Sequence, residues 1–202
     1  MIARVRSAST TDIVGEVRVL ALLALAACAR DPAAAQCPDL APGDLVVTEI
    51  RGPQSGDDTL GVWIELYSVN AVDLSGTKIR FRKKDGSSET DVLVRRSLVV
   101  DAGQYVTLGL FSDDNTKPAY VDYGMAGDYH ESFLSAAAVD VEACGTRIDR
   151  AVYDVLPNMG TFSLGGEPSA DANDLPANWC TDATMDGATY PGTPQQANHA
   201  CP

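Results

Sequence analysis

The residues whose chemistry is clearest in this 202-residue chain are its five cysteines. One of them, Cys28, ends an N-terminal apolar run, and the other four are Cys37, Cys144, Cys180 and Cys201. An even set of cysteines in an exported chain predicts two disulfides, and three pairings remain open. We favour a bond between Cys180 and Cys201, because it would fasten a tail that lacks strand pattern. Cys37 and Cys144 would then tie the start of the domain to the tip of a hairpin.

The N-terminal region predicts export. Residues 19–27 form an unbroken apolar run, which is too short to span a bilayer but is typical of the core of a signal peptide. The run ends in Leu25-Ala26-Ala27-Cys28, which resembles the bacterial lipobox. We therefore predict that residues 1–27 are a lipoprotein signal peptide and that Cys28 receives a diacylglyceryl lipid. Cleavage after Ala33-Ala34-Ala35 is the open alternative, because it is also a small-residue site.

Basic residues cluster on one predicted strand. Lys78, Arg80 and Arg82 alternate with Ile79 and Phe81, and with the period of two of a strand the three cations share one face. This positive stripe predicts a site for an anion. The alternative is a solvated face whose charges discourage edge-to-edge pairing, as charge runs usually are. The net charge of −13 opposes binding of the whole protein to nucleic acid.

Acidic residues suggest two further kinds of chemistry. Glu49 and Glu65 are candidates for an acid–base pair, but each lies on a predicted strand, so we expect them to pair with surface arginines or threonines. Three acidic loops carry oxygen atoms of the kind that calcium prefers, without the spacing of a known calcium loop. We predict that these loops are solvated turns. They are Asp57-Asp58, Asp113-Asp114-Asn115 and the segment with Asp171, Asn173 and Asp174.

Histidines offer little further support for catalysis or metal binding. There is no CxxC pair, and the two histidines, His130 and His199, are far apart, so no zinc site is predicted. His130 with Ser132 or Ser135 and an aspartate would form a triad, but neither serine lies in a nucleophile-elbow motif. We therefore predict no catalytic residue, no metal and no other cofactor.

Short apolar stretches between turn residues predict an all-β fold. A spacing of about 8–12 residues between short strands is typical of a sandwich or barrel. We expect a spacer at residues 28–43, a β-sandwich at 44–165, and a Pro/Asp/Gly-rich C-terminal extension at 166–202 that packs on the domain. Strands are expected at residues 45–50, 61–68, 77–83, 91–94, 97–100, 104–111, 139–143, 147–153 and 161–164.

Five segments of the predicted domain follow one another in a distinctive order. They are Val47-Thr48-Glu49-Ile50, Trp63-Ile64-Glu65-Leu66-Tyr67, Asp73-Leu74-Ser75-Gly76, Asp101-Ala102-Gly103-Gln104-Tyr105-Val106 and Gly145-Thr146-Arg147-Ile148-Asp149. This order resembles the lamin-tail family, as found in exported bacterial lipoproteins, over roughly residues 45–164. The tail is similar to the C-terminal extension of exported members through Asn178-Trp179-Cys180 and Gly192-Thr193-Pro194 followed by Asn198. The resemblance implies an immunoglobulin-like β-sandwich with an irregular, disulfide-tied tail and without a catalytic centre.

Together these features predict a noncatalytic, lipid-anchored binding or adhesion module of a bacterial cell envelope, at the outer membrane or the cell surface. Its partners would be the membrane, through the N-terminal lipid, and an envelope protein or glycan, with no nucleic acid. The alternative is an accessory domain protein or a small secreted hydrolase of the envelope.

Overall fold

The computed structural model of the chain describes residues 36–55, 61–85, 89–129, 137–184 and 191–202. Two central strands, β1 (Leu45–Arg51) and β2 (Trp63–Ser68), form from runs rich in β-branched and aromatic side chains, which favour extended backbone. They pair antiparallel. Their register shifts between Val47 and Glu49, so that Glu49 lies opposite Glu65.

This one-residue bulge decides which way Glu49 points. Val47 lies opposite Leu66, and both are in the hydrophobic core. With a regular period of two, Glu49 would follow Val47 into that core. The extra residue, Thr48, moves Glu49 to the outer face of the sheet instead, on the same side as Glu65.

Ten further strands complete the β structure of the described residues. They are β3 (Val72–Asp73), β4 (Lys78–Arg82), β5 (Thr90–Leu93), β6 (Val99–Val100), β7 (Tyr105–Gly109), β8 (Tyr123–Gly124), β9 (Ala137–Ala143), β10 (Thr146–Tyr153), β11 (Thr161–Leu164) and β12 (Trp179–Asp182). The described part of the tail also contains a short helix, α1 (Ala170–Asn173), and a 3-10 turn (Pro176–Asn178). Ser169 caps α1 by accepting a hydrogen bond from the backbone N–H of Ala172.

The strands form two main sheets. The larger has the order β12-β11-β1-β2-β7-β8, and the smaller has the order β10-β9-β4-β5. β3 and β6 form a separate pair, and only the β7–β8 pairing is parallel among the described strands. The main core cluster joins Ile64 and Leu108 of the larger sheet to Ile79, Phe81 and Val141 of the smaller one. Burial of such side chains stabilises the fold by roughly 1.5–3 kcal/mol each.

The predicted fold class is confirmed: the chain is an all-β sandwich of the immunoglobulin-like kind with a disulfide-tied C-terminal tail. Each of the nine predicted strands has a counterpart, although β9 starts two residues earlier than expected. The expectation that residues 161–164 would be the last strand was wrong. β12 follows in the tail and pairs with β11, with Trp179 opposite Leu164.

Both favoured disulfides are present. Cys37 joins Cys144, which lies in the turn between β9 and β10, and Cys180 of β12 joins Cys201. The end of the predicted spacer lies against the sandwich, where Gly43 donates its N–H to the backbone oxygen of Ile148 at 2.8 Å. Cys28 lies outside the described residues. Within the described ranges, no helix has the length and apolar character needed to cross a membrane.

Candidate functional site

The candidate acid–base pair is buried. Glu49 and Glu65 lie opposite each other on β1 and β2, and neither side chain is exposed to solvent. The expectation of partners at the surface was wrong, because the bulge and the tail place both carboxyl groups in the interior. The expectation of threonine partners was correct: Glu65 accepts a hydrogen bond from Thr48 Oγ1 at 2.9 Å, and Glu49 accepts one from Thr161 Oγ1 at 3.1 Å.

The cover over this pair is the C-terminal strap, which we define as residues 191–202. Thr193 donates its N–H to Glu49 at 3.1 Å, and its Oγ1 hydroxyl lies 3.1 Å from the same carboxyl group and 2.7 Å from Asn198 Oδ1. Gln195 donates its N–H to Glu65 at 2.6 Å. Asn198 donates its side-chain amide to backbone oxygens of β1 and β11, at 2.7 and 3.0 Å. The strap therefore crosses the outer face of the larger sheet and supplies donors to both carboxyl groups.

The far end of the strap is fastened to β12. Cys201 is bonded to Cys180, and two residues earlier His199 Nδ1 lies 2.6 Å from Asp182 Oδ2. Burial would raise the pKa of Asp182, but its hydrogen bonds with His199 and Thr184 outweigh that effect and lower the pKa. A covalent bond and a polar contact thus hold the same end of the strap.

Gly192 explains how the strap comes so close to the sheet. Its φ of +114° lies in a region that side-chain-bearing residues rarely adopt. A Cβ atom at this position would lie 2.7 Å from Thr161 Cγ2 and 3.1 Å from Glu49 Oε1. Only glycine fits here without moving the strap, and this places the neighbouring Thr193 donors over Glu49.

The two glutamates have unequal hydrogen bonding. Five donor atoms lie within hydrogen-bond distance of the Glu49 carboxyl, and they belong to Trp63, Thr161, Ser163 and Thr193. Glu65 has two such donors. Hydrogen bonds to a carboxylate favour its ionised form. We therefore assign the negative charge to Glu49 and a proton to Glu65.

Burial and mutual repulsion act on the pKa values of this pair. Burial raises the pKa of Glu49, and the surrounding donors partly offset that rise. Burial also raises the pKa of Glu65, and the nearby charge of Glu49 raises it further, so that it lies well above its ordinary value. This difference agrees with the assignment of the proton to Glu65.

A further buried carboxyl group, that of Asp149, connects the tail helix to the sandwich. Asp149 on β10 accepts hydrogen bonds from the Val47 N–H at 2.7 Å and from Asn173 Nδ2 at 2.6 Å. Burial raises the pKa of Asp149 to about 6 despite these donors. Trp179 Nε1 donates to the backbone oxygen of Asn173 at 2.8 Å, and the indole stacks on Phe162. Trp179 thus anchors the tail through both packing and a hydrogen bond.

The basic stripe lies where the sequence placed it. Lys78, Arg80 and Arg82 share one face of β4, while Ile79 and Phe81 are buried on the other. Acidic residues of the neighbouring strands β5 and β9, and one residue just before β5, pair with the three cations. These ion pairs reduce the positive potential that an anion would meet, and anion binding stays a prediction. The partners are Asp91 for Lys78, Glu89, Asp91 and Glu142 for Arg80, and Asp140 and Glu142 for Arg82.

The prediction of solvated turns was wrong for the third acidic loop, because α1 forms there and buries Asn173 against β10. The loop at residues 113–115 forms polar contacts with nearby residues. Asp114 accepts hydrogen bonds from the N–H and the hydroxyl of Thr116, and Asp113 pairs with the guanidinium group of Arg96. Across the five described ranges, no group of three or more His, Cys, Asp or Glu side chains is arranged to hold a metal ion. Asp57-Asp58 and the triad candidates His130, Ser132 and Ser135 lie outside those ranges.

Comparisons with known proteins add no relative. Neither the protein-family models, nor the curated proteins, nor the solved structures contain a match to this chain.

Proposed function

We propose that this protein is a noncatalytic binding or adhesion module of the lamin-tail type, held in a bacterial cell envelope by a lipid on Cys28. The observation that carries the proposal is the closure of the Glu49–Glu65 pair beneath the C-terminal strap. A catalytic acid or base must come within hydrogen-bond reach of the group whose proton it transfers. Here both carboxyl groups are already hydrogen-bonded to donors of the protein itself.

The position of the strap supports a structural role for the pair. In the proposed family relationship, the glutamate-bearing strands and the Gly-Thr-Pro tail are separate parts of one pattern. In the folded chain, Glu49 of the first part accepts hydrogen bonds from Thr193 of the second. One structural role explains both parts of the pattern, because the carboxyl groups hold the tail on the sheet. The remaining surface of the sandwich is then available for recognition.

The charge of the protein narrows the choice of partner. A net charge of −13 repels phosphate backbones, so nucleic acid is not among the proposed partners. An envelope protein or a glycan is the proposed partner. An accessory protein or a small envelope hydrolase remains the alternative, and that hydrolase would have to open the strap before Glu49 or Glu65 could reach a substrate.

We expect no enzymatic turnover from the purified protein on panels of esters, phosphoesters, peptides and glycans, with or without calcium. The reason is that the candidate acid–base pair cannot contact a substrate while the strap is in place. Steady-state assays at pH 5 and pH 8 measure this, with the Glu65→Gln variant as a matched control. A reproducible activity that the variant loses while keeping its fold would overturn the proposal and favour the hydrolase.

We expect replacement of Cys28 by alanine to move the protein from the membrane fraction to the soluble fraction. The variant lacks the thiol that would carry the diacylglyceryl group. Cell fractionation with an antibody against the folded domain measures the shift, and a Cys37→Ser variant controls for the loss of a cysteine elsewhere. A wild-type protein that is already soluble, with Gln36 at its mature N-terminus, would show that the lipid anchor is wrong.

A further inference from the structure

A groove of about 390 Å³ opens at one side of the sandwich, where the outermost strands of the two sheets, β10 and β12, come together. Its floor is aromatic. The rings of Phe162 and Trp179 stack with centroids 4.7 Å apart and planes 9° apart, and Tyr153 lies with its ring centroid 6.5 Å from Phe162. Asp154 and Asp174 are exposed on the rim.

Apolar side chains continue from the floor of the groove onto the surface. Val152 and Val155 line the groove and are 46% and 73% exposed, and Leu175, next to the lining residue Pro176, is 55% exposed. Single exposed apolar residues are ordinary, but a group of them around a groove is typical of an interaction site. The groove therefore combines an apolar interior with an acidic rim.

The edge of β10 is open at this groove. Earlier in the strand the edge is covered: the Ile148 oxygen accepts a hydrogen bond from Gly43, and the Arg150 N–H bonds to the Asp149 carboxyl group. Because backbone groups alternate along a strand, the N–H and the carbonyl of Val152 face the same edge as those of Arg150. Apart from the pairing of β10 with β9, no hydrogen bond to Val152 occurs in the described part of the chain.

We infer that this groove binds an extended segment of a partner protein. The segment adds to the edge of β10 at Val152, rests an apolar side chain against the exposed Val152 and Val155 side chains, and places a basic side chain against the acidic rim. This inference rests on the proposed binding function and names the partner class. Addition of a strand to a free sheet edge supplies backbone hydrogen bonds, while pockets beside it select side chains.

Two observations favour a basic peptide over a glycan. Trp179 is only 8% exposed and its ring faces Phe162, so it does not offer a free face on which a sugar could stack. The rim is acidic: the side chain of Asp154 is 85% exposed, and although Lys84 pairs with it, Asp174 adds a further negative charge. A basic side chain in the partner complements this charge and that of the chain as a whole.

The test is selection of peptides from a random 12-residue display library on the full-length lipoprotein purified in detergent. We expect enriched peptides that combine an apolar residue with a nearby lysine or arginine. The dissociation constant of the best peptide is then measured for three variants. Val152→Pro, which removes the outward N–H at an edge position, should weaken binding about three- to tenfold. Asp174→Lys should weaken it about fivefold.

Asp101→Lys is the matched control, because it makes the same charge change in the turn before β7, on the opposite side of the larger sheet from β12. It should leave binding within about twofold of wild type. Unchanged affinity in Val152→Pro and Asp174→Lys, or enrichment of peptides without basic residues, would overturn the inference. Asp174→Lys keeps the test decisive if the proline variant fails to fold. Glycan-array binding without peptide enrichment would also overturn it, while leaving the proposed binding function intact.

Discussion

Replacement of Glu65 by glutamine is expected to stabilise the fold at pH 8 and to leave its stability at pH 4 nearly unchanged. In the native state, burial and the charge of Glu49 raise the pKa of Glu65 well above its ordinary value, which favours the protonated form. A glutamine side chain has the shape of the protonated acid. Its oxygen would accept from the Gln195 N–H, as Glu65 does. Its amide would donate to Thr48 Oγ1, which reverses the direction of that contact and leaves the Thr48 hydroxyl to donate to the backbone oxygen of residue 65.

The sign of this change in stability at pH 8 follows from proton linkage. A carboxyl group with a raised native pKa stabilises the fold below its unfolded pKa, near 4.3, and this stability is lost as the pH rises through the native pKa. Each unit by which the native pKa is raised corresponds to about 1.4 kcal/mol of unfolding free energy. The glutamine variant does not ionise, so it avoids this loss. Urea unfolding at pH 4, 6 and 8, followed by tryptophan fluorescence, measures the difference.

Glu49→Gln is the matched control, and we expect it to act in the opposite direction. Five donor atoms lie around the Glu49 carboxyl group. The NH2 group of a glutamine at this position would therefore point at buried donors instead of accepting hydrogen bonds from them. Each unsatisfied buried donor costs about 1–3 kcal/mol. Stability should therefore fall at pH 6 and pH 8. Destabilisation of Glu65→Gln at pH 8, or equal effects of the two variants, would show that the charge is assigned to the wrong residue.

Some pH dependence should remain in the Glu65→Gln variant because of Asp149. Burial raises its pKa from 3.8 to about 6. The corresponding stability is fully present below pH 3.8 and is lost as the pH rises through about 6. The loss amounts to about 3 kcal/mol.

Removal of the Cys37–Cys144 disulfide is expected to cost more stability than removal of Cys180–Cys201. The first bond closes a loop with a sequence separation of 107 and the second a loop with a separation of 21. Loop-closure entropy predicts losses of about 5 and about 3 kcal/mol in unfolding free energy. Paired serine variants, Cys37→Ser with Cys144→Ser and Cys180→Ser with Cys201→Ser, isolate the two bonds.

Urea unfolding of these variants, with the wild type under oxidising and reducing conditions as reference, measures both losses. Cys37 and Cys144 are exposed, so the first serine pair leaves no buried cavity that would obscure the entropy effect. A larger loss for the Cys180–Cys201 pair would contradict the loop-closure account. In that case, the Cys180–Cys201 bond would stabilise the fold mainly by fastening the strap.

Local patterns were enough to predict most of the strands. On β4, Lys78, Arg80 and Arg82 alternate with Ile79 and Phe81, and this pattern alone determines which side chains enter the core. The tail strand β12 was missed because its short segment, Trp-Cys-Thr-Asp, has no clear alternation. Its extended structure comes from pairing with β11 and from the bond between Cys180 and Cys201.

The candidate site could not be predicted from local patterns, for two physical reasons. A bulge at Thr48 changes the face on which Glu49 lies, and no turn residue marks that bulge in the sequence. The cover over Glu49 comes from Thr193, which is 144 positions away in the chain. Gly192 was the available signal, because a glycine before a polar residue in an irregular tail can permit close approach to a sheet.

Amide hydrogen exchange of the strap tests the central claim most directly, namely that the strap closes the glutamate pair off from substrates. The Thr193 and Gln195 amides, which donate to Glu49 and Glu65, report on closure residue by residue. We predict that at pH 7 both exchange at least about a thousandfold more slowly than in an unstructured peptide. Exchange within about tenfold of the unstructured rate would show that the pair is open to solvent and would contradict the account.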